Sequence, residues 1–296
     1  MMQNSMHNVG DKNSWWPVGI CIGLWAAVSA AQGASVDEIQ RDDGQRVPIA
    51  VYERSMESCL PLALVSPGAG GSESGYSYLG EGLQGLGWRV IVMAHPESSR
   101  QVMRAHIRQE GIKGGVASTA QDASALAARL QDIQGALRWA QSRCPAPAKP
   151  PRLILLGHSM GATTVNLEAG ARNNMGIRGQ DRFDAYIALS PQGVGTVFPQ
   201  GTWSDIRKPF LQLTGSEDKA LEGGPDTRTD AFNNLPGGCQ WLAIVHGATH
   251  MNFAGRGRSA RVEAITLKVI DDFLTGTTRD GCRPTIALSD VTLRSK

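Results

Sequence analysis

The chain has 296 residues, with 29 Lys+Arg against 27 Asp+Glu. A net charge of +2 leaves no electrostatic footprint for nucleic acid, and 41% hydrophobic with 19% charged residues excludes a disordered chain. Five cysteines without CxxC spacing exclude a zinc ribbon and are too few for a disulfide scaffold, so the arithmetic leaves one large domain or two small ones.

The N-terminus comes first. Seventeen residues from Trp15 to Ala31 carry no charge, Lys12 precedes them, and the small residues Ser29, Ala30, Ala31, Gly33 and Ala34 follow or end them. A charged start, an apolar run and a small-residue zone predict a secretory signal peptide over residues 1–34, cleaved at Ala31 or Ala34. A stable membrane anchor is not expected: the run is short for a span of about 20 residues, and Pro17, Gly19 and Gly23 weaken it as a helix. The expected location is secreted or periplasmic, with residues 35–296 as a single domain. Cleavage removes Cys21 and leaves Cys59, Cys144, Cys239 and Cys282, so an oxidising compartment predicts two disulfides.

Strands and helices then alternate. Val47–Tyr52 reads as an early strand, and the apolar run Leu60–Ser66, stopped by Pro67-Gly68, as a buried parallel strand. Residues 74–86 have helical spacing and end at Gly87. Trp88–Ala94 is a second buried strand, closed by His95-Pro96, and a long polar stretch follows to about Ser118. Residues 120–143 read as an amphipathic helix with Asp122 in its first turn, broken by the Pro-rich segment 145–151. Leu153–Leu156 is a strand, followed by Gly157 and a helix from about Met160 to Arg172. Strands over Asp184–Ser190, Pro209–Thr214 and Gln240–Val245 follow, and Arg261–Leu274 is the last helix. Such alternation predicts an α/β fold with a mainly parallel central sheet and helices on both faces, whose functional groups sit at the carboxyl ends of the strands.

Three strand ends carry reactive side chains. Gly157-His158-Ser159-Met160-Gly161 follows an apolar strand and opens a helix, the pattern of a nucleophile elbow that exposes the Ser159 hydroxyl on a sharp turn. Asp218 sits just past the strand that runs through Leu211–Thr214, with the adjacent Glu217 as competitor. His250 follows the last strand, with His246 as the alternative base. Serine, acid and histidine thus occur in the order of a Ser–Asp–His triad. The oxyanion donors expected with it are the backbone N–H of Met160 and one from the loop 67–71, Ala69 or Gly70.

With these residues in place the chain from about Val47 to Leu274 resembles the α/β-hydrolase superfamily. Within it the sequence is similar to secreted serine esterases of the predicted dienelactone hydrolase kind and to cutinase-like polyester hydrolases. The stretches that carry the resemblance are Ser66–Ala69, Gly157–Gly161, Ser190-Pro191-Gln192, Thr214–Asp218 and Gly247–His250. It implies a triad of Ser159, His250 and Asp218 with Met160 and Ala69 at the oxyanion, and no metal or organic cofactor. Dienelactone hydrolases proper use a cysteine where this chain has Ser159. Polyester hydrolases place an aromatic residue where it has Ala69, and a Trp after Ser-Pro-Gln where it has Gly193-Val194-Gly195. The superfamily sheet also implies the bridges Cys59–Cys144 and Cys239–Cys282.

The expected function is hydrolysis of a small-molecule or polymeric carboxylic ester by a monomer. A lipase or polyester hydrolase, or an acyltransferase on the same triad, are the alternatives. Trp203 and His158 are the candidate substrate contacts. Only eighteen residues separate Ser190 from Pro209, so no large lid is expected there, while the stretch 95–118 walls the site with Arg100, Arg104 and Arg108 facing solvent.

Overall fold

The computed structural model describes residues 33–54, 59–144, 147, 149–256 and 259–296; residues 1–32, and with them nearly all of the expected signal segment, lie outside the described residues. The apolar runs form six parallel strands: β3 (Leu62–Ser66), β4 (Arg89–Met93), β5 (Leu153–His158), β6 (Ala185–Leu189), β7 (Phe210–Gly215) and β8 (Gln240–Val245). Three more strands complete a nine-stranded sheet: β1 (Ser35–Gln40) and β2 (Arg46–Tyr52) at one side and β9 (Val291–Ser295) at the other, all antiparallel to their neighbours. The strand order is β1-β2-β4-β3-β5-β6-β7-β8-β9.

Helices cover both faces, which is why the central strands are buried at nearly every position and mostly apolar. Leu62, Leu64, Ile91, Met93 and Leu155 point to one face. There they pack with Leu126 and Ile133 of α3 (Ala123–Ser142) and Val165 of α4 (Met160–Glu168). The alternate residues Ala63, Val65, Val90, Val92, Ile154 and Leu156 point to the other face. They meet Leu79 and Leu83 of α1 (Ser77–Gly85) and Val269 and Phe273 of α6 (Ala260–Gly276). Local chemistry sets the helix starts: Asp122 accepts the Ala125 N–H at 2.9 Å, and Ser259 accepts that of Val262 at 3.3 Å. A short helix, α5 (Asp230–Asn234), lies between β7 and β8.

The sequence reading differs from this fold at β1, at β9 and in the segment after β4. β1 (SVDEIQ) and β9 (VTLRS) were not expected, because edge strands with one wet face carry no apolar run. The polar stretch after β4 is helical, α2 (Arg100–Ala120), but bent into a hairpin at Gly111, where φ is 73° and ψ 173°. Its arms touch so closely that a side chain at Gly115 would collide with the backbone of Ile107. No helix lies between Ser190 and Pro209.

Both implied bridges are formed, Cys59–Cys144 and Cys239–Cys282, each with Cα atoms 5.3 Å apart. Cys59 stands just before β3 and Cys144 just after α3, so their bridge ties the amino end of the sheet to a covering helix. Replacing both by serine (Cys59→Ser with Cys144→Ser) is expected to cost about 2–4 kcal/mol of stability in a urea titration. An unchanged far-UV circular dichroism spectrum at a permissive temperature checks that the bridge acts on stability alone.

Candidate active site

The elbow is built from backbone constraints. β5 runs into α4 through Ser159, whose φ of 57° and ψ of −117° lie outside the regions open to most side chains. Its N–H donates to the Leu189 carbonyl at 3.0 Å, which ties the strained residue to β6. A Cβ at Gly157 would strike the Gly161 carbonyl, and one at Gly161 would strike the Ser66 carbonyl at the end of β3. Glycine is therefore required on both sides of the serine, and the elbow lies directly against the loop after β3.

His250 and Asp218 converge on that hydroxyl. The Ser159 Oγ lies 3.0 Å from His250 Nε2, and His250 Nδ1 lies 2.9 Å from Asp218 Oδ1. With Nδ1–H donating to the carboxylate, Nε2 is left to accept the serine proton. His250 opens a short 3-10 turn, His250–Ala254. Thr249 and Asn252 cap each other at its start and fix where the imidazole stands. Thr214 donates to Asp218 Oδ2 at 2.9 Å. The competitors are elsewhere: Glu217 is exposed, and the exposed His246 meets Thr292 at 2.9 Å across the β8–β9 edge.

Sequence reasoning missed Arg228. It is 1% exposed and sits on a 3-10 turn, Pro225–Thr229, between β7 and β8. Its Nη2 lies 3.1 Å from Asp218 Oδ1, and it also donates to the carbonyls of Ser190, Pro191, Lys219 and Asp218 at 3.0, 3.0, 2.8 and 3.4 Å. Nη2 is also 3.1 Å from His250 Nδ1. Both of these nitrogens carry hydrogens directed at Asp218, so this is an approach of two donors to one acceptor rather than a hydrogen bond. Burial pushes the Asp218 carboxyl up. The His250 hydrogen bond and the Arg228 charge outweigh that and hold it at about 2.

The loop after β3 leaves a single donor open. Gly68 N–H is taken by the Tyr76 hydroxyl at 3.0 Å, Gly70 N–H by the Ser98 carbonyl at 2.8 Å and Gly71 N–H by the Gly68 carbonyl at 3.0 Å. Among the described residues the Ala69 N–H has no protein acceptor. Neither has the Met160 N–H, in the first turn of α4, where intrahelical acceptors are lacking. Met160 follows Ser159 in the chain, and Ala69 lines the same cleft as Ser159.

Tyr76 and His158 tie this loop to the base. Tyr76 OH lies 2.9 Å from His158 Nδ1, and His158 Nε2 lies 3.0 Å from the His250 carbonyl. The directions are fixed, because a carbonyl only accepts and an N–H only donates. His158 therefore carries its hydrogen on Nε2 and gives it to His250. Nδ1 accepts from Tyr76, whose oxygen accepts from Gly68. His158 is 3% exposed, and burial followed by the neighbouring His250 pushes its pKa well below 6.5, so the ring is neutral. The expected substrate contact thus has both ring nitrogens committed to protein partners.

A second serine–histidine–aspartate line is buried behind the loop. His95 Nδ1 meets Asp132 at 2.7 Å, and its Nε2 meets Ser66 Oγ at 2.9 Å. Ser66 and Asp132 are 0% exposed. Ser66 Oγ also receives Arg129 at 3.2 Å, and Arg129 donates to the Pro67 carbonyl at 2.7 Å. No substrate reaches this serine; the network braces the strand end that carries Ala69.

The cleft over Ser159 holds about 300 Å³, walled by Met103, Val116 and Ala120 of the α2 hairpin and by Leu221. Trp203, expected as a substrate contact, is instead in the core at 0% exposure, with its indole N–H on Asn166 Oδ1 at 2.8 Å. A larger cavity of about 540 Å³ lies at the amino end of the sheet, around Leu62, Leu153 and Cys144, and among the described residues it has no nucleophile beside a base. Among the described residues no cluster of His, Cys, Asp and Glu is arranged to hold a metal ion.

Solved structures share this fold. The apo form of esterase 2 from Thermogutta terrifontis aligns with a TM-score of 0.59 at 17% identity, over 84% of this chain and 96% of that one. The form of the same esterase phosphorylated by paraoxon gives the same figures. A dienelactone hydrolase from Anabaena variabilis aligns with a TM-score of 0.55 at 15% identity, over 81% of this chain and 97% of that one. The chain has the α/β-hydrolase fold. No protein-family model matches the sequence, and no curated protein matches it significantly.

Two measurements probe this geometry. The folded Asp218 carboxyl lies below its ordinary 3.8, so ionisation favours the folded state. That contribution is fully present above about pH 4 and lost as pH falls towards 2, on the order of 2 kcal/mol in all. Asp218→Asn is therefore expected to be less stable than the parent at pH 7, and the gap should narrow between pH 4 and 2 in urea titrations; a constant gap would refute the assignment. Tyr76→Phe strands the Gly68 N–H and His158 Nδ1. A stability loss of about 1–3 kcal/mol and a fall in kcat on the order of 10-fold with KM little changed are expected from steady-state kinetics beside urea unfolding.

Proposed function

We propose that this protein is a secreted serine hydrolase that cleaves short-chain carboxylic esters. The observation that supports it is the unbroken line from Ser159 Oγ through His250 to Asp218, opening on a cleft beside two free N–H groups. Ser159 Oγ attacks the ester carbonyl while His250 Nε2 takes its proton. Asp218 holds the imidazole tautomer and stabilises its charge. The N–H groups of Met160 and Ala69 receive the oxyanion. Collapse expels the alcohol, protonated by His250, and a water activated by the same imidazole releases the acid. Every step is carried by these side chains and backbone groups, without a cofactor.

The cleft's small volume favours short acyl groups. Its walls are aliphatic, and Trp203 is sealed in the core, which speaks against an aromatic polyester platform. Two disulfides support export, with residues 1–34 leaving as a signal and 35–296 acting as one monomeric domain. Among the described residues no helix is long and apolar enough to cross a membrane.

Ser159→Ala is expected to lower turnover of p-nitrophenyl butyrate at least about 1,000-fold without loss of stability. A fluorophosphonate probe should add to the parent at Ser159, read by peptide mass, and not to the variant. Turnover retained in Ser159→Ala would overturn the reading.

A further inference from the structure

The hairpin that walls the cleft also carries unpaired charge. Arg100, Arg104 and Arg108 recur at four-residue spacing on its first arm, so they form one stripe, and all three are exposed. Lys113 follows the Gly111 turn and is exposed too. Across the cleft, Lys219 and Arg256 line its mouth. Among the described residues none of these six side chains is bonded to a carboxylate. Some arginines elsewhere, Arg41, Arg182 and Arg261 among them, have acidic partners. The hairpin's one acid, Glu110, is bonded to Ser118. Among the described residues no carboxylate lines the cleft itself.

Apolar tips stand among these cations. Ile112, beside the hairpin turn, is 76% exposed, and Met251, on the cleft rim, is 43% exposed. A groove lined by Arg100 and Glu73 adjoins the cleft, with Gly71 lining both. Cations alone would suit any dissolved anion. Cations with exposed apolar tips suit the boundary of a bilayer, where phosphate headgroups lie over hydrocarbon.

We propose that the α2 hairpin docks this protein on anionic phospholipid surfaces. The stripe Arg100, Arg104 and Arg108 meets the headgroups, Ile112 enters the boundary, and the Met103–Val116–Ala120 wall holds the cleft at the surface. The ester is then taken from the interface rather than from bulk water. What is delivered there rests on the esterase reading; the docking does not.

Binding is therefore measured on Ser159→Ala protein, by co-sedimentation with phosphatidylcholine vesicles and with vesicles half phosphatidylglycerol, at low and high salt. Binding to the anionic vesicles alone, weakened by salt, is expected. Arg100→Gln, Arg104→Gln and Arg108→Gln together should weaken it on the order of 100-fold. Ile112→Ser should weaken it about 10-fold. The same substitutions with Ser159 intact should leave turnover of soluble p-nitrophenyl butyrate and the melting temperature unchanged, since none of these residues belongs to the catalytic machinery. No binding to anionic vesicles, equal binding to both vesicles, or binding untouched by the triple substitution would overturn docking. Failure of the esterase reading shows separately, as turnover retained in Ser159→Ala.

Discussion

The contact on which the site depends is the one between Gly161 and the Ser66 carbonyl. Because no side chain fits there, the start of α4 lies against the end of β3. That single approach sets the loop after β3 beside the elbow, so the two open N–H groups come from different strand ends, one from the residue after Ser159 and one from a residue that lines its cleft. It also forces the chain to turn at Ser159 through a positive φ. Such a conformation costs on the order of 1–3 kcal/mol and persists only where its surroundings over-determine it. Here they do: β5 is buried from Ile154 to His158, and α4 is buried along its whole length.

How far the sequence could be read followed from which groups face water. The central strands were legible because both of their faces are covered, so LALVS and RVIVM each contain four successive apolar residues. β1 and β9 carry Asp37, Glu38 and Arg294 among few apolar residues, and only the pairing itself reveals them. The α2 hairpin was hidden because Gly111 interrupts its period and its outer face is charged. The candidate triad was legible because each member follows its own strand. Arg228 was not: nothing in Pro225–Thr229 marks a residue that will be sealed against Asp218. Trp203 misled for the opposite reason. A large aromatic near an expected wall invites a binding role, yet its N–H finds Asn166 inside the core.

Two buried arginines show how such loops are held. Strand ends and elbows expose carbonyls that no neighbouring strand completes, and when buried these need donors. Arg228 supplies them to Ser190, Pro191 and Lys219, and Arg129 to Pro67. Burial lowers the pKa of both, Arg129 to about 10, which still leaves the guanidinium charged at neutral pH. Desolvating that charge is costly, and an apolar residue of equal size would pack at least as well. What it could not do is bond several carbonyls at fixed angles while leaving an N–H for a carboxylate. A lysine offers three donors from one point, whereas the guanidinium fork reaches three separate segments at once. The cost of burying the charge therefore maintains position: Arg228 fixes Asp218 behind His250, and Arg129 fixes the strand end that presents Ala69. The two sides of the cleft are thereby held by separate cations, neither of which has to touch a substrate.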